Sequence, residues 1–86
     1  MEQRAAYVGV VYSTQRIGNQ RSIQLDGADK FGLIVHCDEH TELYGMHGEE
    51  ITFDKLEVGM TVQIKHREAM TMSIPPHTYA YQVNVL

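Results

Sequence analysis

Met60-Thr61-Val62-Gln63-Ile64-Lys65-His66 alternates without interruption. Val62 and Ile64 fall on one face and Thr61, Gln63 and Lys65 on the other, the period of two that a half-buried strand requires. Upstream, Ser22-Ile23-Gln24-Leu25-Asp26 repeats the pattern. Tyr7-Val8-Gly9-Val10-Val11-Tyr12 is rich in β-branched and aromatic residues and reads as the first strand. Between these two, Ile17-Gly18-Asn19-Gln20 carries the permissive backbone of a turn, and Gly27-Ala28-Asp29 breaks the second strand. Phe31 to Cys37 is a more continuous apolar run, with Leu33, Val35 and Cys37 on one face and Ile34 and His36 on the other.

The remaining segments complete the outline. A short strand or bulge is expected near Leu43, followed by a loop through Gly48 and renewed strand character at Ile51-Thr52-Phe53. Asp54 to Met60 reads as one helical turn closed by Gly59. Arg67 to Pro76 is a long loop that ends at Pro75-Pro76, and Thr78 to Leu86 is the last strand, with Tyr79, Tyr81, Val83 and Val85 on one face. Five or six short strands at turn-separated intervals, with no sustained helical period, predict an all-β single domain over residues 1–86. A flat sheet of this size would expose its edges, whereas closure removes most of them. The expectation is a small antiparallel barrel of the OB type, with an SH3-like barrel as the alternative and a core of Val8, Val10, Ile23, Leu25, Leu33, Val35, Val62, Ile64, Val83 and Val85.

Composition narrows the function classes. Eighty-six residues leave little room for an enclosed active site. Seven Lys and Arg against eleven Asp and Glu give a formal charge of −4, the wrong sign for a protein that lives by neutralising phosphates. Cys37 is the only cysteine, so no intrachain disulfide forms, which suits a reducing compartment. Met1 to Ala6 holds no apolar run of signal-peptide length, and no segment approaches the roughly 20 apolar residues of a membrane helix. The chain as it stands reads as cytoplasmic, although one from which an export signal had been removed would read the same.

The second half resembles a known family. Leu56-Glu57-Val58-Gly59-Met60-Thr61-Val62, then Met72-Ser73-Ile74-Pro75-Pro76-His77 and the closing Ala80 to Val85, are similar to the YobA-type family of small Firmicutes domains. Val8-Gly9-Val10-Val11 is similar to the family's first strand, and the motif-grade detail lies in the C-terminal third. The resemblance implies a small β-barrel and brings no activity or catalytic residues with it. Relatives often carry a lipoprotein or export signal, absent here, and commonly have Gln where His77 stands.

Three constellations carry chemistry worth weighing. His36-Cys37-Asp38-Glu39-His40, followed by His47, offers imidazole, thiolate and carboxylate, all ligands for Zn²⁺ or a similar ion. On a straight strand His36 and His40 would stand about 13 Å apart, at ~3.3 Å per residue, so a metal site of His36, His40 and His47 requires a turn between them. Cys37, beside Leu33 and Val35, reads more simply as a small buried hydrophobe. Tyr79 and Tyr81 are a candidate binding face, since exposed aromatics on a barrel stack sugars or bases. They read more simply as caps on the ends of a small core, since the acidic balance argues against a nucleic-acid strand across that face. Met70 and Met72, with Ile74 and the two prolines, place adaptable apolar side chains on a long loop, either as a partner-binding surface or as a plug over the barrel end. His40, His47, His66 and His77 all fall in or beside segments read as loops.

No phosphate loop, nucleophile elbow or dinucleotide fingerprint occurs, so neither an enzyme nor a cofactor is expected. The leading expectation is a non-enzymatic binding or accessory module for a protein or small-molecule partner. A small metal-binding protein using the His36–His47 region, and an OB-type binder of oligosaccharide or single-stranded nucleic acid, are the alternatives.

Overall fold

A computed structural model describes residues 4–27 and 32–86. Val62 and Ile64 are wholly buried, and their strand is one wall of a closed barrel. In chain order the strands are β1 (Arg4–Ile17), β2 (Gln20–Gly27), β3 (Leu33–Cys37), β4 (Glu42–Tyr44), β5 (Thr61–Arg67) and β6 (His77–Val85). β1 lies antiparallel between β2 and β5, β2 pairs antiparallel with β3, and β5 pairs antiparallel with β6. The ring closes through a parallel seam between β3 and β6, with Ile34 opposite His77, Val35 opposite Thr78 and His36 opposite Tyr79. The barrel is therefore antiparallel at four seams and parallel at the fifth. A parallel pair needs a crossover connection, and the chain from β4 through β5 supplies it.

β4 is a satellite of the ring. It continues along the edge of β6 that β3 has left, pairing Glu42–Tyr44 in parallel with Gln82–Asn84. The 38–41 turn between β3 and β4 is pinned to β6, because the Thr41 hydroxyl donates to the Ala80 carbonyl at 2.8 Å. The expected strand at Ile51–Phe53 is reduced to an isolated bridge between Tyr44 and Glu50 and an Ile51 N–H bond to the Leu43 carbonyl. The expected helical turn over Asp54–Met60 is a single 3-10 turn at Phe53–Lys55, which sends Phe53 and Leu56 into the core.

The interior is Val11, Ile23, Leu25, Leu33, Val35, Cys37, Phe53, Leu56, Val62, Ile64, Ala80 and Val83. Seven of these are expected from period two. Val8 and Val10 are corrections: they are 48% and 40% exposed, and the inward face of β1 is Tyr7, Gly9 and Val11. A side chain at Gly9 would meet the Tyr7 ring at 2.9 Å and the Asp26 carbonyl at 3.1 Å, so Gly9 and the ring share one space. Val85 is only partly buried, packed against the core from outside.

β6 is corrected too. Lys65 pairs with Gln82 and His66 with Ala80, leaving Tyr81 as an extra, bulged residue. Thr78 and Ala80 are buried before the bulge and Val83 after it, so Tyr79 and Tyr81 do not share the face of Val83. His66, expected beside a loop, is buried in β5, where its Nδ1–H donates to the Arg67 carbonyl at 2.7 Å. The expected break at Ala28-Asp29, the start of the apolar run at Phe31, and Met1 to Gln3 lie outside the described residues. No helix among the described residues is long and apolar enough to cross a membrane.

Candidate functional site

The 67–76 loop is held as a shaped projection. Thr71 bonds twice with His77, its N–H donating to the His77 carbonyl at 2.9 Å and its Oγ1 accepting from the His77 N–H at 2.8 Å. Thr71 Oγ1 and Ser73 Oγ lie 2.7 Å apart, and Ser73 Oγ donates to the Pro75 carbonyl at 3.0 Å. At the loop base the Thr78 hydroxyl lies 2.8 Å from both the Arg67 and the Ala69 carbonyls. The Ile34 N–H donates to the Pro76 carbonyl at 3.0 Å, anchoring the other end to β3.

This bracing leaves the apolar side chains outside. Met70 is 49% exposed, Ile74 73% and Met72 101%. They do not plug the barrel end. Beneath the loop is an open groove of about 520 Å³, lined by His36, Arg67, Met70, Thr71, His77 and Tyr79 among others. Three of the sequence candidates, His36, Met70 and Tyr79, thus meet on one surface. Tyr81 packs edge-on against Tyr79 at 5.2 Å between ring centroids, and Met72 stands free of the groove at the loop's exposed crest.

Tyr79 is committed on both its flanks. Its hydroxyl donates to Asp38 Oδ1 at 2.7 Å, and the Arg67 guanidinium stands 5.3 Å from its ring centre. The Tyr79 bond, above all, holds the Asp38 carboxyl below the usual carboxylate range, while burial and then Asp38 raise the Tyr79 phenol. Neither group is poised for proton transfer near neutral pH. Cys37 is inert for a related reason: burial, then the Asp38 charge, push its thiol up to about 12.

The parallel seam brings together two histidines far apart in the chain. His36 Nε2 and His77 Nδ1 are 2.8 Å apart, with ring centroids at 5.1 Å and planes 19° apart. Burial, then His77, hold the His36 imidazole below its ordinary value. The other expected metal ligands go elsewhere. His40 stands beside Glu39 at 3.6 Å, and His47 is in the 45–49 turn, where its N–H donates to Glu49 Oε1 at 2.9 Å. Among the described residues no group of three or more His, Cys, Asp or Glu stands close enough to hold one ion. Sequence reading did not pair His36 with His77, because only the β3–β6 register makes them neighbours.

A second open groove, about 560 Å³, lies near the far end of β6, where Val85, Met60 and Ile51 share the lining with Glu49, Glu50, Glu57 and Lys55.

No family model matches the chain. Among curated proteins it is similar to a protease inhibitor from Brevibacillus choshinensis, 37% identical over 54 residues. That stretch is 63% of this chain and 16% of the inhibitor, so the chain spans a small part of the relative it matches.

Proposed function

We propose that this chain is a non-catalytic barrel module of the OB type that binds a protein through the 67–76 loop and the groove beneath it. The strand order β3-β2-β1-β5-β6, closed by one parallel seam, supports the OB reading, as does the long loop between the last two ring strands. The observation that carries the proposal is the exposure of Met70, Met72 and Ile74 on a loop braced from within. A loop whose backbone is already braced loses little backbone entropy when a partner covers it. Met adapts its shape to what it meets. The net charge of −4 favours a protein over a nucleic-acid strand on this surface.

The likeness to a protease inhibitor supports a protease as the partner class. The YobA-type kinship stays a proposal of the same kind, resting on Met72 to His77 and the closing strand. The test is a titration of the chain into subtilisin-type and chymotrypsin-type serine proteases, followed by hydrolysis of a small peptide substrate and by complex formation in size-exclusion chromatography. A one-to-one complex with at least one enzyme is expected, weakened at least about tenfold by Met72→Asp. Absence of any complex, or a complex indifferent to both Met72→Asp and Ile74→Asp, overturns the reading.

A further inference from the structure

We propose that His36 and His77 together form a two-histidine site for a divalent transition cation that favours square-based coordination, Cu²⁺ ahead of Zn²⁺. The site does not depend on the protein-binding reading, and it is not the His36, His40 and His47 set that the sequence suggests.

The spacing is the first argument. Two nitrogens bound at about 2.0–2.1 Å and at a right angle to each other lie roughly 2.8–3.0 Å apart, whereas a tetrahedral pair lies nearer 3.3 Å. His36 Nε2 and His77 Nδ1 stand at 2.8 Å, the separation of neighbouring donors in a square-based complex.

The second argument is how the rings are held. His36 lies in β3, within the parallel seam, and His77 opens β6 with both its backbone groups bonded to Thr71. The two nitrogens are therefore brought within reach of one ion from two fixed backbones, and only the rings have to turn. The groove in front of them is open, so water can reach the remaining coordination positions of a bound ion.

Chemistry at the contact permits the exchange. In the neutral pair one ring carries the hydrogen between the two nitrogens. Moving that hydrogen to the other nitrogen of the same ring frees both lone pairs without changing the net proton count. The rings stand end to end, with the two nitrogens aimed at each other, so each ring must turn by roughly 45° to aim its lone pair at one ion at a right angle to the other. A nitrogen ligand must be neutral to donate its lone pair, so binding weakens as the pH falls. The Arg67 guanidinium lines the same groove and repels a cation.

The ion would bridge β3 to β6 where the ring closes, so binding should stabilise the barrel by linkage. The experiment is a titration of the 86-residue chain with Cu²⁺ at pH 7.5, read by imidazole proton resonances, calorimetry and thermal unfolding. The His36 and His77 ring signals should broaden first, at one equivalent, and the unfolding midpoint should rise. His36→Gln and His77→Gln should each weaken binding at least about tenfold, while His40→Gln with His47→Gln leaves it unchanged. Zn²⁺ should bind more weakly than Cu²⁺. Broadening led by other histidines or the terminal amine, binding undiminished in both single variants, or no binding at all overturns the proposal. Tighter binding of Zn²⁺ overturns the square-based geometry. Should His77→Gln disturb the seam, visible as lost spectral dispersion, the exposed His36→Gln decides alone.

Discussion

β5 and β6 are neighbours in the barrel, built from similar residues, yet they obey different rules. Along β5 every second residue faces inward, Val62, Ile64 and His66, and the alternation never slips. Along β6 the same regularity is broken at Tyr81, the extra residue of the bulge, and the inward set is Thr78, Ala80 and then Val83. Alternation with Thr78 and Ala80 turns Tyr79 and Tyr81 off the core face, and the bulge then returns Val83 to the core. β1 shows a similar irregularity between Val11 and Ser13 against β2. Bulges sharpen local twist, and a five-stranded ring needs strong curvature at few points. Regular strands supply the core, and irregular ones shape the surface.

The comparison breaks most sharply in the core. Ile64→Ala should cost about 2–5 kcal/mol of unfolding free energy, because the side chain is fully buried and its cavity cannot refill. Val10→Ala, on the outward face of β1, should cost no more than about 1 kcal/mol. Urea denaturation of both variants measures the difference. Equal losses would mean that the inward face of β1 is wrongly assigned.

A smaller effect is expected where β6 holds the loop. Thr78→Val keeps the shape but removes the hydroxyl that meets the Arg67 and Ala69 carbonyls. The loss should be about 1–3 kcal/mol. Amide exchange should quicken at Thr71 and His77 while Val62 and Ile64 stay protected. Uniform acceleration across the barrel would show that the loop and the ring open as one unit.

The smallest effect lies at Glu49, in the second groove. Bonds from the backbone N–H groups of Glu49 and His47 hold the Glu49 carboxyl below its ordinary value. A carboxyl whose folded value is depressed adds stability above its unfolded value, and that contribution is lost as pH falls through the folded one. Between pH 5.5 and 3 the wild-type unfolding midpoint should therefore fall slightly more than that of Glu49→Gln. Parallel pH profiles would remove the Glu49 bonds from the account.

How much of this was legible in the chain follows from particular residues. Ile23, Leu25, Val62, Ile64 and Val83 announce their burial by spacing, because polar residues flank each, whereas Leu33 and Val35 sit either side of Ile34 in a more continuous apolar run. Tyr7 to Tyr12 is apolar on both faces, so its parity is undetermined locally, and the wrong face was expected to be buried. Val11 was missed for the same reason. Phe53 and Leu56 carry a weaker signal, two apolar residues three apart at a short helical turn.

Period-two alternation and turn residues by themselves determine that the chain is all-β, one domain, and of a size that closes into a barrel. Those features act between residues a few positions apart, and chain chemistry alone fixes them. The tertiary structure decides what lies between distant residues: the parallel closure of β3 on β6, the bulge at Tyr81, the outward crest of Met72, and the meeting of His36 with His77. Each depends on which strand edges pair and in what register. That choice is made by filling one small core from all sides at once.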